Sequence, residues 1–164
     1  MKLLVCDPQS QAPRVIPDSA LGRNKLPWFL PDFGENWHGT VALGFRVSRL
    51  GKGIASKFAD RYVDAMTLIW LPKGAGHRYA DFMDGAAVVG EWIPLKEDFT
   101  VLDKEFNLVS LGWREKLAWI TEAATVKNGD ILAFTLPITA EKIQINQHIE
   151  FTMKGTKVLS FNVK

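Results

Sequence analysis

Cysteine is almost absent from this chain of 164 residues. Cys6 is the only one, so no disulfide can close within it. That suits a reducing compartment and predicts a cytoplasmic protein held together by its core rather than by cross-links. Long hydrophobic runs are missing as well. The opening Leu3-Leu4-Val5-Cys6 stops at Asp7-Pro8, too short for the apolar stretch of a signal peptide. No segment nears the roughly 20 apolar residues of a membrane span. Charge of one sign is also scarce: 20 Lys and Arg against 18 Asp and Glu leave a net charge of +2. With no basic block and no aromatic stripe interleaved with basic residues, neither nucleic acid nor a membrane is an expected partner.

What is present is largely apolar. Hydrophobic residues make up 47% and charged residues 23%, the balance of a globular chain rather than a disordered one. The length fits one domain, 1–164, able to bury a sizeable core. Six Trp and ten Phe supply much of it. Trp28, Trp37, Trp70, Trp92 and Trp119 are scattered, a pattern that reads as core rather than as one ligand pocket.

The pattern of elements is mostly β. Residues 2–6 read as a strand, then Pro8, Pro13 and Pro17 mark an irregular stretch, and Pro27 and Pro31 keep Trp28-Phe29-Leu30 extended. In the strand 38–48, Val41, Leu43, Phe45 and Val47 form an apolar face, with Thr40, Ala42, Gly44 and Arg46 opposite. The apolar face is the predicted core and the other is where a site would sit. Leu50-Gly51-Lys52-Gly53 reads as a turn. Phe58, Tyr62, Ala65 and Met66 predict a helix from about Ala55, and 67–71 a buried strand ended by Pro72-Lys73-Gly74. Further strands are predicted at 88–94, 107–111 and 131–134. Trp113, Leu117, Ile120 and Ala124 mark an amphipathic helix. Alternation of Ile149, Phe151 and Met153, then Leu159, Phe161 and Val163, marks a closing hairpin. The fold class is α+β, mainly β.

Isolated side chains carry little chemistry. Cys6 sits in an apolar strand and reads as buried and inert. Ser10 and Ser19 lack a nucleophile-elbow context. Gly51-Lys52-Gly53 lacks the spacing of a phosphate loop. His77 and His148 read as isolated and exposed.

A run of segments in order resembles the fumarylacetoacetate hydrolase superfamily, in its short single-domain bacterial form: Pro17-Asp18-Ser19-Ala20-Leu21, Pro31-Asp32-Phe33, the His38 strand, Arg49-Leu50-Gly51-Lys52-Gly53-Ile54, Tyr62-Val63-Asp64, Asp84 to Pro94, Asn128-Gly129-Asp130 and the last hairpin. The resemblance implies a mixed β-roll or distorted β-barrel with a few short helices, usually a homodimer, acting on 2-oxo acids or acylpyruvates. It also implies a Mg2+ or Mn2+ ion held by an E-x-E pair, which period-2 geometry puts on one face, and by an Asp on a later strand. Those positions correspond to Thr40, Ala42 and Leu71. A family Lys corresponds to Asp81, a reversal of charge, and a substrate loop keeps only Pro137. The early G-x-N-Y segment and its His and Glu lid have no counterpart.

One neutral hydroxyl cannot replace three carboxylates toward a hard ion. The resemblance therefore implies a degenerate relative without a metal cofactor, and a remnant pocket formed by His38, Thr40, Ala42, Leu71, Asp81 and Pro137. Such a protein would bind a small carboxylate ligand, scaffold or regulate, as a homodimer or as a heterodimer with an active relative. His38 reads as hydrogen-bonded at a strand entrance rather than as a ligand. Two alternatives stand beside this reading: an active hydrolase, hydratase or isomerase with its metal moved to Asp81, Asp84 and Glu91, and a pocket closed by side chains in a domain used for protein association.

Overall fold

The computed structural model describes residues 1–7, 10, 12–75 and 81–164. His77 and Pro8 lie outside the described residues. Twelve strands are described: β1 (Lys2–Cys6), β2 (Arg14–Pro17), β3 (Leu21–Arg23), β4 (Glu35–Val47), β5 (Val63–Ala75), β6 (Ala87–Val89), β7 (Asp98–Val101), β8 (Lys104–Asn107), β9 (Ile131–Thr135), β10 (Glu141–Lys142), β11 (His148–Met153) and β12 (Thr156–Asn162). One α-helix, α1 (Trp113–Ala123), and short 3-10 turns at Asp18–Ala20 and Ser56–Arg61 join them. Among the described residues no helix is long and apolar enough to cross a membrane.

Eight strands form one curled sheet in the order β2-β1-β9-β4-β5-β6-β3, with β10 beside β9 on the same edge of β4. The β1–β9 and β3–β6 pairs are parallel and the others antiparallel. The hairpins β7–β8 and β11–β12 pack as separate two-stranded ribbons. The mainly β, α+β reading of the sequence is borne out.

Strand β4 departs from the half-buried strand its alternation suggests. Val41 through Phe45 are all buried, so the Thr40–Ala42–Gly44 face is covered as well. The small residues on that face are the reason: at Gly44 an added Cβ would meet Ile69 of β5. On the opposite face, Phe45 stacks on Trp113 of α1 at 4.9 Å and packs against Phe134 of β9. Burial of Trp113, Leu117 and Ile120 matches the predicted helix face.

Other expectations are corrected. The helix from Ala55 is only the turn Ser56–Arg61, and Ala65 and Met66 belong to β5, because pairing with β4 from Val63 onward satisfies the whole segment. Pro72 and Gly74 do not end β5. The β6 pairing reaches only Ile69 and Trp70, so beyond Trp70 one edge of β5 is free of β6, and an unpaired edge tolerates proline. The strand predicted over 88–94 shortens to β6: Gly90 donates to the Leu68 carbonyl and Glu91 turns away to donate to that of Val158. At 107–111 there is a turn instead of a strand, since Asn107 Oδ1 accepts from the amides of Val109 and Ser110 at 2.9 and 3.1 Å. Trp119 is exposed rather than core.

A tryptophan group joins the sheet to the last hairpin. Trp70 meets Trp28 and Phe161 edge-on, each at 5.0 Å, and Trp28 meets Trp37 at 6.1 Å. Trp28 Nε1 donates to the Gly85 carbonyl at 2.9 Å, so this buried ring has its polar atom satisfied. Trp70 lies flat over Gly39 of β4, where any Cβ would overlap its ring. Gly39→Ala is expected to destabilise the protein by about 1–3 kcal/mol through overpacking, read as a lower urea midpoint. An unchanged midpoint would show that Trp70 has room to move.

Candidate functional site

Successive side chains alternate across a strand, so His38, Thr40, Ala42, Gly44 and Arg46 leave one face of β4. The register extends that face sideways. Thr40 stands opposite Leu71 of β5, and Ala42 lies between Ile69 of β5 and Thr135 of β9. Thr40, Ala42 and Leu71 are thus brought together, but not as a pocket. Ala42 is 0% exposed and Leu71 3%, and Thr40 Oγ1 donates to the Leu71 carbonyl at 3.3 Å. Hard divalent ions need several oxygen ligands. These positions supply one hydroxyl, already used, and two hydrocarbon side chains. They do not fit Mg2+ or Mn2+.

His38 is half-buried, between Lys73 and Lys142 in the register. Its Nδ1 lies 2.7 Å from the Asn36 carbonyl, so the ring is oriented by its own strand. Pro137 is exposed and its carbonyl accepts from Lys104. The loop after β9 closes against Gly39 and Val41, on the opposite face, where only about 10 Å³ remains. Pro137 itself follows Leu136, whose amide donates to the Val41 carbonyl at 2.9 Å.

Asp81 is linked to this part of the sheet only indirectly, through residues that sequence reasoning missed. Arg14 of β2 pairs with Asp81 and, through Nε at 3.1 Å, with Asp7. Asp7 in turn accepts a hydrogen bond from Thr135, the cross-strand partner of Ala42. A continuous polar chain, Thr135–Asp7–Arg14–Asp81, runs from the buried row of the sheet to the surface. Each of its charged side chains is about one-third exposed. The one signal for it in the sequence is the acid at position 81 where the resemblance implies a lysine.

Asp81, Asp84 and Glu91 do not assemble. Asp81 is held by Arg14, while Glu91 pairs with Lys25 at 2.9 Å and accepts from Asn24, contacts that lower its pKa in that order. Among the described residues no group of three His, Cys, Asp or Glu side chains is placed to hold a metal ion. Burial pushes the Cys6 thiol up to about 11, with Lys116 opposing and Asp7 adding to it, so the thiol stays protonated and inert near neutral pH.

Two further places carry polar groups. A cleft of about 780 Å³ lies toward the far end of the same face, lined by Arg23, Asn24, Arg46, Glu91 and Trp92 among others. There the Arg46 guanidinium stacks over Trp92 at 5.4 Å and is held by both oxygens of Asp64. On the exposed side of the β11–β12 hairpin, His148 Nδ1 lies 2.8 Å from Asn162 Oδ1, and Nε2 lies 3.2 Å from Ser160 Oγ. This array looks like a nucleophile, base and orienter. However, Glu150 also faces Nε2 and is itself paired with Lys157, and the Ser160 amide is spent on Asn24 Oδ1. No amide of Ser160 is left to stabilise an oxyanion, so the array reads as a clamp on the hairpin.

No protein-family model and no curated protein matches the sequence. Solved structures do match it along nearly its whole length. A 5-carboxymethyl-2-hydroxymuconate delta-isomerase from Mycobacterium smegmatis is 16% identical, with 99% of this chain and 78% of that one covered and a TM-score of 0.82. Maleylpyruvate hydrolase from Sphingobium sp. SYK-6, in complex with manganese(II) ion and pyruvate, is 18% identical over 99% and 69%, also at 0.82. A protein from Yersinia pestis CO92 assigned to the fumarylacetoacetate hydrolase family is 14% identical over 99% and 92%, again at 0.82. The fold is that of the fumarylacetoacetate hydrolase family. The fold implied by the ordered segments from Pro17 to the last hairpin is thereby borne out. At these identities the likeness speaks for the fumarylacetoacetate hydrolase scaffold and leaves the chemistry to the side chains described above.

Proposed function

We propose that this chain is a catalytically silent form of the fumarylacetoacetate hydrolase scaffold, used to associate with other protein chains. The observation that carries this reading is the filled face of β4: Ala42 and Leu71 are buried and the Thr40 hydroxyl is bonded to backbone. A metal acting as Lewis acid is worth several kcal/mol of transition-state stabilisation, and nothing at these three positions can hold one. The expected assembly is a homodimer, or a heterodimer with an active relative. A small carboxylate, where one binds, belongs in the cleft beside Arg23, Arg46 and Trp92 rather than over Thr40. The second reading is a working 2-oxo-acid hydrolase or isomerase, and the names of the neighbouring structures favour it.

Thermal unfolding during Mg2+ and Mn2+ titration separates the two, because an ion bound to the native state raises stability by mass action. Wild type is expected to show no saturable shift at sub-millimolar metal. The combined variant Thr40→Glu, Ala42→Glu, Leu71→Asp, refolded with Mn2+, is expected to gain one. A saturable wild-type shift accompanied by acylpyruvate turnover would overturn the proposal. Light scattering on the same samples tests the assembly, and a mass of a single chain would remove the homodimer.

A further inference from the structure

The cleft at the Arg46 end of β4 is shaped and charged for one kind of small molecule. Its volume of about 780 Å³ is that of a ligand pocket. One wall is the stretch Val89 to Trp92, all four residues of which line it. Arg23 stands beside Val89 in the β3–β6 register, and Arg46 stacks over Trp92. The two guanidinium groups therefore mark the two ends of a wall about 10 Å long. Val89 and Ile131 give the space between them an apolar lining.

The charges here pair off with one exception. Glu91 is held by Lys25, Arg46 by Asp64 and the neighbouring Lys2 by Asp130, while Asp18 faces the Met1 amine at 3.9 Å. Arg23 is exposed and has no hydrogen bond or ion pair among the described residues. Five cations against four carboxylates leave +1, and the excess sits on Arg23. That balance suits one carboxylate, and a second would meet the acids already paired. Arg46 offers a different contact. Asp64 takes the edge of its guanidinium through Nε and Nη2, and Trp92 covers one face, yet the side chain is 39% exposed. The open face is planar, cationic and fixed, a surface on which flat aromatic rings stack.

We propose that this cleft binds monocarboxylates that carry a flat aromatic ring, with the carboxylate on Arg23 and the ring on the open face of the Arg46 guanidinium. The ring continues the stack that Trp92 begins, and a short aliphatic spacer lets one molecule reach both ends of the wall. This ligand class rests on the reading that a small carboxylate belongs in the cleft rather than over Thr40.

Calorimetric titration with 3-phenylpropionate tests it, with EDTA present so that no metal contributes. Wild type is expected to bind this probe saturably at millimolar concentration. 3-Cyclohexylpropionate, equal in charge but without a π face, should bind about threefold more weakly or worse. The neutral 3-phenylpropionamide should not saturate. These comparisons need wild type alone. Arg23→Ala removes an exposed side chain and should weaken 3-phenylpropionate about tenfold or more. Arg46→Lys keeps the charge and loses the planar face, so the phenyl and cyclohexyl acids should then bind alike. Absence of saturation in wild type would overturn the proposal. Equal binding of the two acids or saturable binding of the amide to wild type would do the same. So would undiminished binding by Arg23→Ala, the result expected of a carboxylate seated over Thr40, or a preference for the phenyl acid that survives Arg46→Lys. Failure of the functional reading is seen separately, as Mn2+ stabilisation of wild type without any organic ligand.

Discussion

Ala42→Glu is expected to lower the stability of this protein by about 4 kcal/mol or more. Ala42 is fully buried at the centre of the sheet, between Ile69 and Thr135. A carboxylate there loses its hydration, and the effective cost for a buried ion is several kcal/mol even after relaxation. Overpacking adds to it, because the neighbouring rows are already close enough for Gly44 to be required. Urea unfolding monitored by tryptophan fluorescence would read the loss. Mn2+ should restore little of it, since one carboxylate and a committed hydroxyl make a poor ligand set. Wild-type stability in this variant would mean that water reaches position 42, and the filled-site reading would fall.

The second large effect is expected at Asp130. Its carboxylate is buried, and it takes Lys2 Nζ at 2.6 Å together with the amides of Lys2 and Lys127 at 3.0 and 2.9 Å. Burial alone would raise its pKa. The Lys2 and Lys127 contacts outweigh burial, and the net direction is down. A carboxyl with a depressed folded pKa stabilises the protein above its unfolded value, near 3.9, and the contribution is lost as pH falls through the lower folded value. Asp130→Asn is expected to cost about 3 kcal/mol at pH 7, at the low end for a broken buried pair because Lys2 is partly exposed. The gap between variant and wild type should shrink below about pH 4, where the wild-type carboxyl also protonates. A constant difference down to pH 2 would show that the charge is not what matters.

The sequence made some of this readable and hid the rest for identifiable reasons. Helix α1 and the β11–β12 hairpin were legible because each buries one face, so their periodicities survive in the residue order. The buried middle of β5, 67–71, was legible as well, but its start was not, because Ala65 and Met66 happen to share helical spacing with Phe58 and Tyr62, and only pairing with β4 decides between the two. The union of Thr40, Ala42 and Leu71 could be anticipated from period-2 geometry together with the family resemblance. Whether the space between them was open could not, since covering a face depends on the small residues Ala42 and Gly44 meeting large ones from another strand. The Arg14 network was invisible for a related reason: Asp7, Arg14, Asp81 and Thr135 are spread over most of the chain, and no local pattern links them.

The parallel contact between β1 and β9 has a temporal consequence. Leu3 to Cys6 pair with Ile131 to Phe134, so β1 finds its inner neighbour only after the long stretch between the two strands has been made. Antiparallel pairing with β2 is available early, but it covers one edge only. Contacts so distant along the chain carry a loop-closure cost that slows assembly. Until then Leu3, Leu4 and Val5 present an apolar strand edge, and β1 is the segment on which a nascent chain of this protein is most open to capture by chaperones or by its own copies.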